Sequence, residues 1–317
     1  MSFVRTVLGD IAPAALGVCY AHEHVIIDPG YMTEKFPDFQ IDSVDAAEKE
    51  LRQFRADGGQ AMIDAMPTGG RNAAKLAEVS RRTGIHLVSS TGLHLQKYYP
   101  PDHWGHHLDE ESLAKVFTAE IETGLQPEDS SQPRLSSRAG VIKIAGGLDR
   151  LNDYEHRLFV AAAHTHRQTG CPILTHTEQG TAAMVQVDLL RQQGVDLTHV
   201  CLSHTDRKPD LTYHRDLLQT GVKVEFDSAF RWPKNQGNPT LDLVLTLTPE
   251  FPTQILLGLD AARRSYWKSY GGQPGLSFLL TDSRPELIAR GLEPALLDNI
   301  FIHNPATTFQ FKPVSNL

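Results

Sequence analysis

The chain has little of what would carry it out of the cell or into a membrane. Only three of its 317 residues are cysteine, Cys19, Cys171 and Cys201, an odd count too small for a disulfide framework. They read as reduced core thiols of a cytoplasmic protein. No stretch approaches the ~18 consecutive apolar residues of a membrane span. The opening MSFVRTVLGDIAPAALG puts charge and proline where a secretory signal needs an apolar run. Basic residues are also in deficit. Thirty Lys and Arg stand against 38 Asp and Glu, a formal charge of −8, which argues against nucleic acid, because a polyphosphate needs a basic face. Sequence repeats and Gly/Ser-rich linkers are missing, so residues 1–317 read as one domain. Gly146-Gly147 is too short a glycine signal for a phosphate cradle and reads as a turn. Histidine, by contrast, is plentiful at 15 residues, and its placement carries the argument.

Short runs rich in Val, Ile and Leu alternate with longer segments of helical period. The strand candidates are 18–27, 61–66, 85–92, 139–146, 172–177, 199–204, 222–228 and 254–260. They are mostly continuous rather than alternating, as strands buried on both faces are. Helical patterns between them include AAEKELRQFRA, with Asp42 or Ser43 as its cap, and 72–84, 154–170, 182–194, 211–221, 241–250 and 276–291, the last interrupted by Pro285. Several end at a glycine, as helix C-termini prefer. Asn304-Pro305 has the form of an N-cap with Pro at the first helical position. Eight strand-then-helix units predict an α/β fold of the (β/α)8 TIM-barrel kind rather than an open doubly wound sheet. Two long connections, about 28–41 and about 93–110, should overhang the C-terminal face, where barrel enzymes do their chemistry. The polar stretch 126–138 is expected as a solvated loop on the opposite face.

Metal-binding side chains fall at the strand ends. His22 and His24 lie two apart in the first strand, so alternation turns both toward the barrel mouth. His176 closes the fifth strand, His204 the sixth and Asp260 the eighth. Any one of these alone is ordinary, but their convergence on one rim is hard to explain as packing. Imidazole and carboxylate together suit zinc, with manganese or cobalt as substitutes. Lys143 sits among Val141, Ile142 and Ile144, where an ammonium is costly to desolvate. A depressed pKa would leave a neutral amine that can add CO2 and become a bridging carbamate. The alternative is a snorkelling lysine paired with a carboxylate.

HEHVII, the lysine in VIKIA, THTEQG, SHTDR and LLGLD resemble the phosphotriesterase-like branch of the amidohydrolase superfamily along essentially the whole chain. The resemblance implies a barrel with two divalent metal ions, usually zinc. His22, His24 and Asp260 would hold the more buried ion and His176 and His204 the more exposed one. A carboxylated Lys143 and a hydroxide would bridge them. Hydroxide formed between two cations would attack the substrate, and Asp260 would accept its proton while remaining a ligand.

The substrate should meet the loops after strands seven and eight, where barrel enzymes often bind phosphate. FDSAFRWPK supplies Arg231 and Lys234, and DAARRSYWKSYGG supplies Arg263, Arg264, Tyr266 and Lys268, in a protein that is otherwise acidic. At least one of Arg231, Arg263 and Tyr266 is expected to hold an anionic substrate group; Lys268 also fits a solvated surface run. Asp260 through Tyr266 has the form D-x-A-R-x-x-Y, similar to the branch members that open phosphate-bearing sugar lactones. Arg207 and Ser228 stand where organophosphate-hydrolysing relatives carry an acid and a histidine, which argues against efficient organophosphate hydrolysis. Asp206 and Arg207 would contact substrate or pair with each other. His94 would line the pocket or anchor its loop. His103, His106 and His107 read as lid or surface residues rather than a third metal site. Alternation sends Cys201, three before His204, to the outer face. The leading reading is thus a lactonase of sugar lactones, phosphorylated ones included. Its rivals are an amidase or deacylase of N-acyl compounds, a weak phosphotriesterase and a metal-bearing binding module. The expected partners are a small, anionic molecule and, in solution, a second copy of the chain as homodimer.

Overall fold

The computed structural model describes residues 2–313 apart from Asp129 and Lys234. Eight parallel strands follow one another around a barrel in chain order: β1 (Cys19–Glu23), β2 (Ala61–Asp64), β3 (His86–Gly92), β4 (Val141–Gly146), β5 (Ile173–Thr177), β6 (Val200–Ser203), β7 (Lys223–Phe226) and β8 (Ile255–Leu257). The seam between β8 and β1 is joined just past the strands, where the Leu259 and Asp260 amides donate to the His22 carbonyl at 3.3 and 3.1 Å. This is the expected (β/α)8 barrel, and each of its eight strands lies inside its expected run.

The helices form for the reasons the sequence suggests. Ser43, not Asp42, caps α1 (Val44–Ala56), its hydroxyl accepting from the Ala46 amide. α2 (Ala73–Thr83) stops at Gly84, whose φ of +70° suits a residue without Cβ. α3 (Glu110–Glu122), capped by Asp109, fills the place after β3 for which the pattern named no helix. α4 (Asp153–Thr169), α5 (Ala183–Gln192), α6 (Leu211–Gln219) and α7 (Pro239–Glu250) follow their strands as expected. The 276–291 segment divides into a π turn at Leu279–Ser283 and a short α8 (Arg284–Ala289) with Pro285 in its first turn. No helix among the described residues is long and apolar enough to cross a membrane.

Three expectations change, and one element is new. Asn304 is not a cap: its backbone is helical, continuing the π turn Asn299–His303 into Asn304–Thr308. Its side chain instead donates to the carbonyls of Pro252 and Ile255 at 3.1 and 2.8 Å. A hairpin of Val4–Thr6 with Gly9–Ile11 lies against the N-terminal end of β3, the Val7 amide donating to the Leu87 carbonyl at 2.8 Å. Three-residue strands are too short to leave a period that could announce it. The 126–138 stretch does not keep to the far face. Arg71, buried with Glu120, donates to the Gln126 carbonyl at 3.0 Å, and Glu128 accepts from the Gly69 amide at 2.7 Å beside the mouth. Cys201 points into the barrel, clustered with Cys19, Ala21, Ile63, Val141 and Leu174. Counting back from His204 failed because His204 leaves the strand in the left-handed region, φ +65°, which breaks the alternation.

Candidate active site

All eleven side chains expected at the site line one cavity of about 400 Å³ at the C-terminal mouth of the barrel. His22 reaches it by a bulge. Tyr20 pairs with Met62 and Glu23 with Asp64, so Ala21 and His22 together oppose Ile63. Ala21 joins the barrel interior, and His22 is aimed at the mouth above it. Glu23 accepts from the Leu259 and Ala261 amides at 2.8 and 3.3 Å, on either side of Asp260. Asp64 accepts from the Val25 amide at 2.8 Å and so braces the turn carrying His24. Asp260 is itself left-handed, φ +47°, a backbone state that costs about 1–3 kcal/mol and persists where the surroundings enforce it.

The result is a compact donor set. Asp260 Oδ1 lies 3.7 Å from His22 Nε2 and 3.4 Å from His24 Nε2, with the three ligating atoms within 4.8 Å of one another. The His204 ring is 4.7 Å from that of His22 and 4.6 Å from that of His176, and its Nδ1 rests on the Asp227 carboxylate. His176 Nε2 is taken by Glu178 at 2.7 Å, which leaves Nδ1 as its ligating nitrogen. Burial, helped by Lys143, holds His22 well below the ordinary imidazole range, and burial with Arg207 does the same to His204. Neutral rings keep the lone pair that a cation needs. Lys143 is 1 % exposed, and its Nζ has no hydrogen-bond partner. Burial pulls its pKa to about 8, against the opposing pull of Asp260, Glu225 and Asp227. His24 Nδ1 and both Glu225 oxygens are likewise buried without partners. Burial and the neighbouring Asp227 push Glu225 well above the carboxylate range. An unpaired acid, neutral imidazoles and a lone amine close together fit divalent cations, whose charge would reverse that local field.

The arginines are less free than their sequence suggests. Arg207 Nη2 donates to Asp260 Oδ2 at 2.9 Å and to Asp227 Oδ1 at 3.3 Å. It does not pair with Asp206, which turns away to accept from the Ser228 amide (2.8 Å) and the Thr240 hydroxyl (2.6 Å). Burial and Asp227 raise Asp206 to about 6. Arg231 also grips Asp260, through its carbonyl at 2.8 Å and Oδ2 at 3.1 Å. Burial alone would raise Asp260, but the His24 hydrogen bond, the nearby His204 ring and the Arg231 guanidinium hold it well below the carboxylate range. Arg263 stands at the rim, its side chain 43 % exposed, with its guanidinium 4.6 Å over the Phe39 ring. Tyr266 packs edge-on to Phe230 at 4.9 Å. His94 faces His176 at 4.7 Å while its backbone amide ties to the Tyr99 hydroxyl, so it both lines the cavity and anchors its loop. Arg264 and Lys268 lie outside the cavity lining, as do His103, His106 and His107, and Lys234 is outside the described residues.

The sequence reading missed Glu225, Glu23, Asp64 and the role of Asp227. One signal was there: Lys223, Glu225 and Asp227 recur with period two through VKVEFDS, so three charges share the inner face of one strand.

The phosphotriesterase family model matches residues 2–309. A phospho-furanose lactonase of Mycoplasmopsis agalactiae is 31% identical, over 98% of this chain and 92% of that protein. The crystal structure of a lactonase from Listeria monocytogenes superposes with a TM-score of 0.91 at 30% identity, covering 98% of this chain and 100% of that one. The phosphotriesterase homology protein of Escherichia coli, solved with phosphate in its active site, gives 0.85 at 29% identity, over 93% and 99% of the two chains. The chain belongs to the phosphotriesterase family. With that membership comes its class, a metal-dependent hydrolase acting on ester bonds.

Proposed function

We propose that this protein opens sugar lactones, with phosphorylated lactones as its preferred substrates, at a centre of two divalent cations, most readily zinc. The observation that carries the reading is one cavity with two unlike walls. Imidazoles, Asp260 and Lys143 form its floor, and Arg263, Tyr266 and Arg231 stand on the side of the strand-seven and strand-eight loops. His22, His24 and Asp260 would hold one cation and His176 and His204 the other, with Lys143, carboxylated by CO2, between them. When bound, such cations supply Lewis acidity and an activated water.

The chain's own residues would do the rest. Asp260 Oδ2 faces the cavity beside Arg207 and Arg231 and is the atom that takes the proton of the attacking water. In this arrangement both guanidiniums keep it ionised. An anionic substrate that drew both Arg207 and Arg231 toward itself would free that oxygen. Arg263 offers a forked grip on phosphate, and Tyr266 a hydroxyl donor. Ser228 and Arg207 remain unlike the organophosphate hydrolases, which speaks against that activity. The three free, buried thiols support a reducing, cytoplasmic setting.

The test is a pH-indicator screen of metal-reconstituted protein, with and without bicarbonate, over lactone, N-acyl amide and phosphotriester panels. Turnover highest on phosphorylated lactones is expected. Turnover confined to N-acyl amides would replace the lactonase reading with a deacylase, and stoichiometric binding without hydrolysis would replace it with a binding module.

A further inference from the structure

β7 carries Glu225, and a second buried acid, Asp227, follows just past its end, two residues on. Asp227 takes the Nδ1 side of the His204 ring. Glu225 stands in the same relation to His22. Its Oε2 lies 3.5 Å from His22 Nδ1, while Nε2 of that ring faces Asp260 Oδ1 at 3.7 Å. Glu225 is fully buried, and both its oxygens and His22 Nδ1 lack a hydrogen-bond partner. Lys143 Nζ forms no hydrogen bond either, so it does not consume this carboxylate. The chain just past β8 leaves room for Glu225: a Cβ on Gly258 would stand 2.5 Å from Oε1 and under 3 Å from the His22 backbone. An imidazole that ligates through one nitrogen presents an N–H at the other, and a carboxylate there fixes the tautomer and strengthens the ligand.

We propose that Glu225 is a positioning residue of the metal centre, accepting the Nδ1–H of His22 from below and so fixing Nε2 as the nitrogen turned toward the cation. The proposal rests on the metal-centre reading above. An acid that merely filled space in the barrel would influence stability but not metal affinity.

The experiment measures zinc affinity by chelator competition for the wild-type protein, Glu225→Gln and Glu225→Ala, alongside ¹⁵N-histidine spectra of the zinc-loaded forms. Gln keeps the side chain's volume and an acceptor oxygen, so folding is preserved. Zinc affinity should fall about 10-fold in Glu225→Gln and toward 100-fold in Glu225→Ala, and wild-type His22 should carry its proton on Nδ1. Wild-type affinity in both variants, or a proton on His22 Nε2 with zinc bound, overturns the proposal while leaving the metal centre standing. A wild-type protein that takes up no zinc removes the metal centre, and this inference with it.

Discussion

On the proposed reading, Arg263 would serve substrate recognition and take no part in the chemistry. It sits at the rim, half-exposed, with Asp38 3.8 Å from its guanidinium and the Phe39 ring beneath it. Its neighbours Arg207 and Arg231, by contrast, are bound to Asp260. Arg263→Ala should therefore raise KM for a phosphorylated lactone by about 10-fold or more, the worth of one charge-assisted pair, and leave kcat and the unphosphorylated lactone nearly unchanged. Steady-state kinetics on the matched pair of substrates decides it, and an equal loss on both would remove Arg263 from phosphate recognition. His103 gives a second residue-level test. Its Nδ1 accepts from the Gly105 amide at 3.2 Å, which only an unprotonated nitrogen can do, and its ring stacks on Tyr99. Burial, with His106 beside it, lowers its pKa from 6.5 to about 4. A folded pKa below the unfolded one gives stability that is full above pH 6.5 and lost as pH falls toward 4. The protection factor of the Gly105 amide, its exchange rate taken relative to the intrinsic rate at each pH, should fall over that window, and an unchanged factor would contradict the assignment.

Among the elements, β3 and β4 set the position of Lys143. Gly92 ends β3 at a φ of +110°, and a Cβ there would lie 2.0 Å from the Lys143 carbonyl. Gly92→Ala combines backbone strain with overpacking against a backbone atom, at a cost of about 3 kcal/mol or more. Urea unfolding should show the lower midpoint, with metal uptake impaired in parallel. Element existence was legible because buried parallel strands make continuous apolar runs. What escaped was how each strand ends. His22 and His24 both line the mouth, but not through the alternation expected of them: the barrel aims His22 by a bulge, which no period reveals, and His24 lies just past the end of β1. His204 and Asp260 were found by residue type, but both reach the mouth through left-handed backbone held by tertiary contacts. The same irregularity made the Cys201 expectation fail. Glu225 was visible as a charge of period two and was overlooked, whereas the Arg207–Asp260 pair joins residues 53 apart and leaves no local trace.

Over the whole molecule, the fold gathers at one cavity floor, and beside it, groups that a cation would satisfy: Lys143 and Glu225, buried without hydrogen-bond partners, with Asp260 and three neutral imidazoles. Cations that bind only the folded chain should therefore stabilise it by mass action. Exhaustive chelation should lower the thermal midpoint and abolish hydrolysis together, with zinc restoring both, and an unchanged midpoint would mean that the floor holds no ion. The most direct measurement is the metal content of protein reconstituted with zinc and bicarbonate, counted by plasma mass spectrometry for the wild type and for Lys143→Ala. Two equivalents in the wild type, falling to one or fewer in the variant, is the predicted result. Two equivalents retained without the lysine amine, or none in the wild type, would contradict a paired centre built on Lys143.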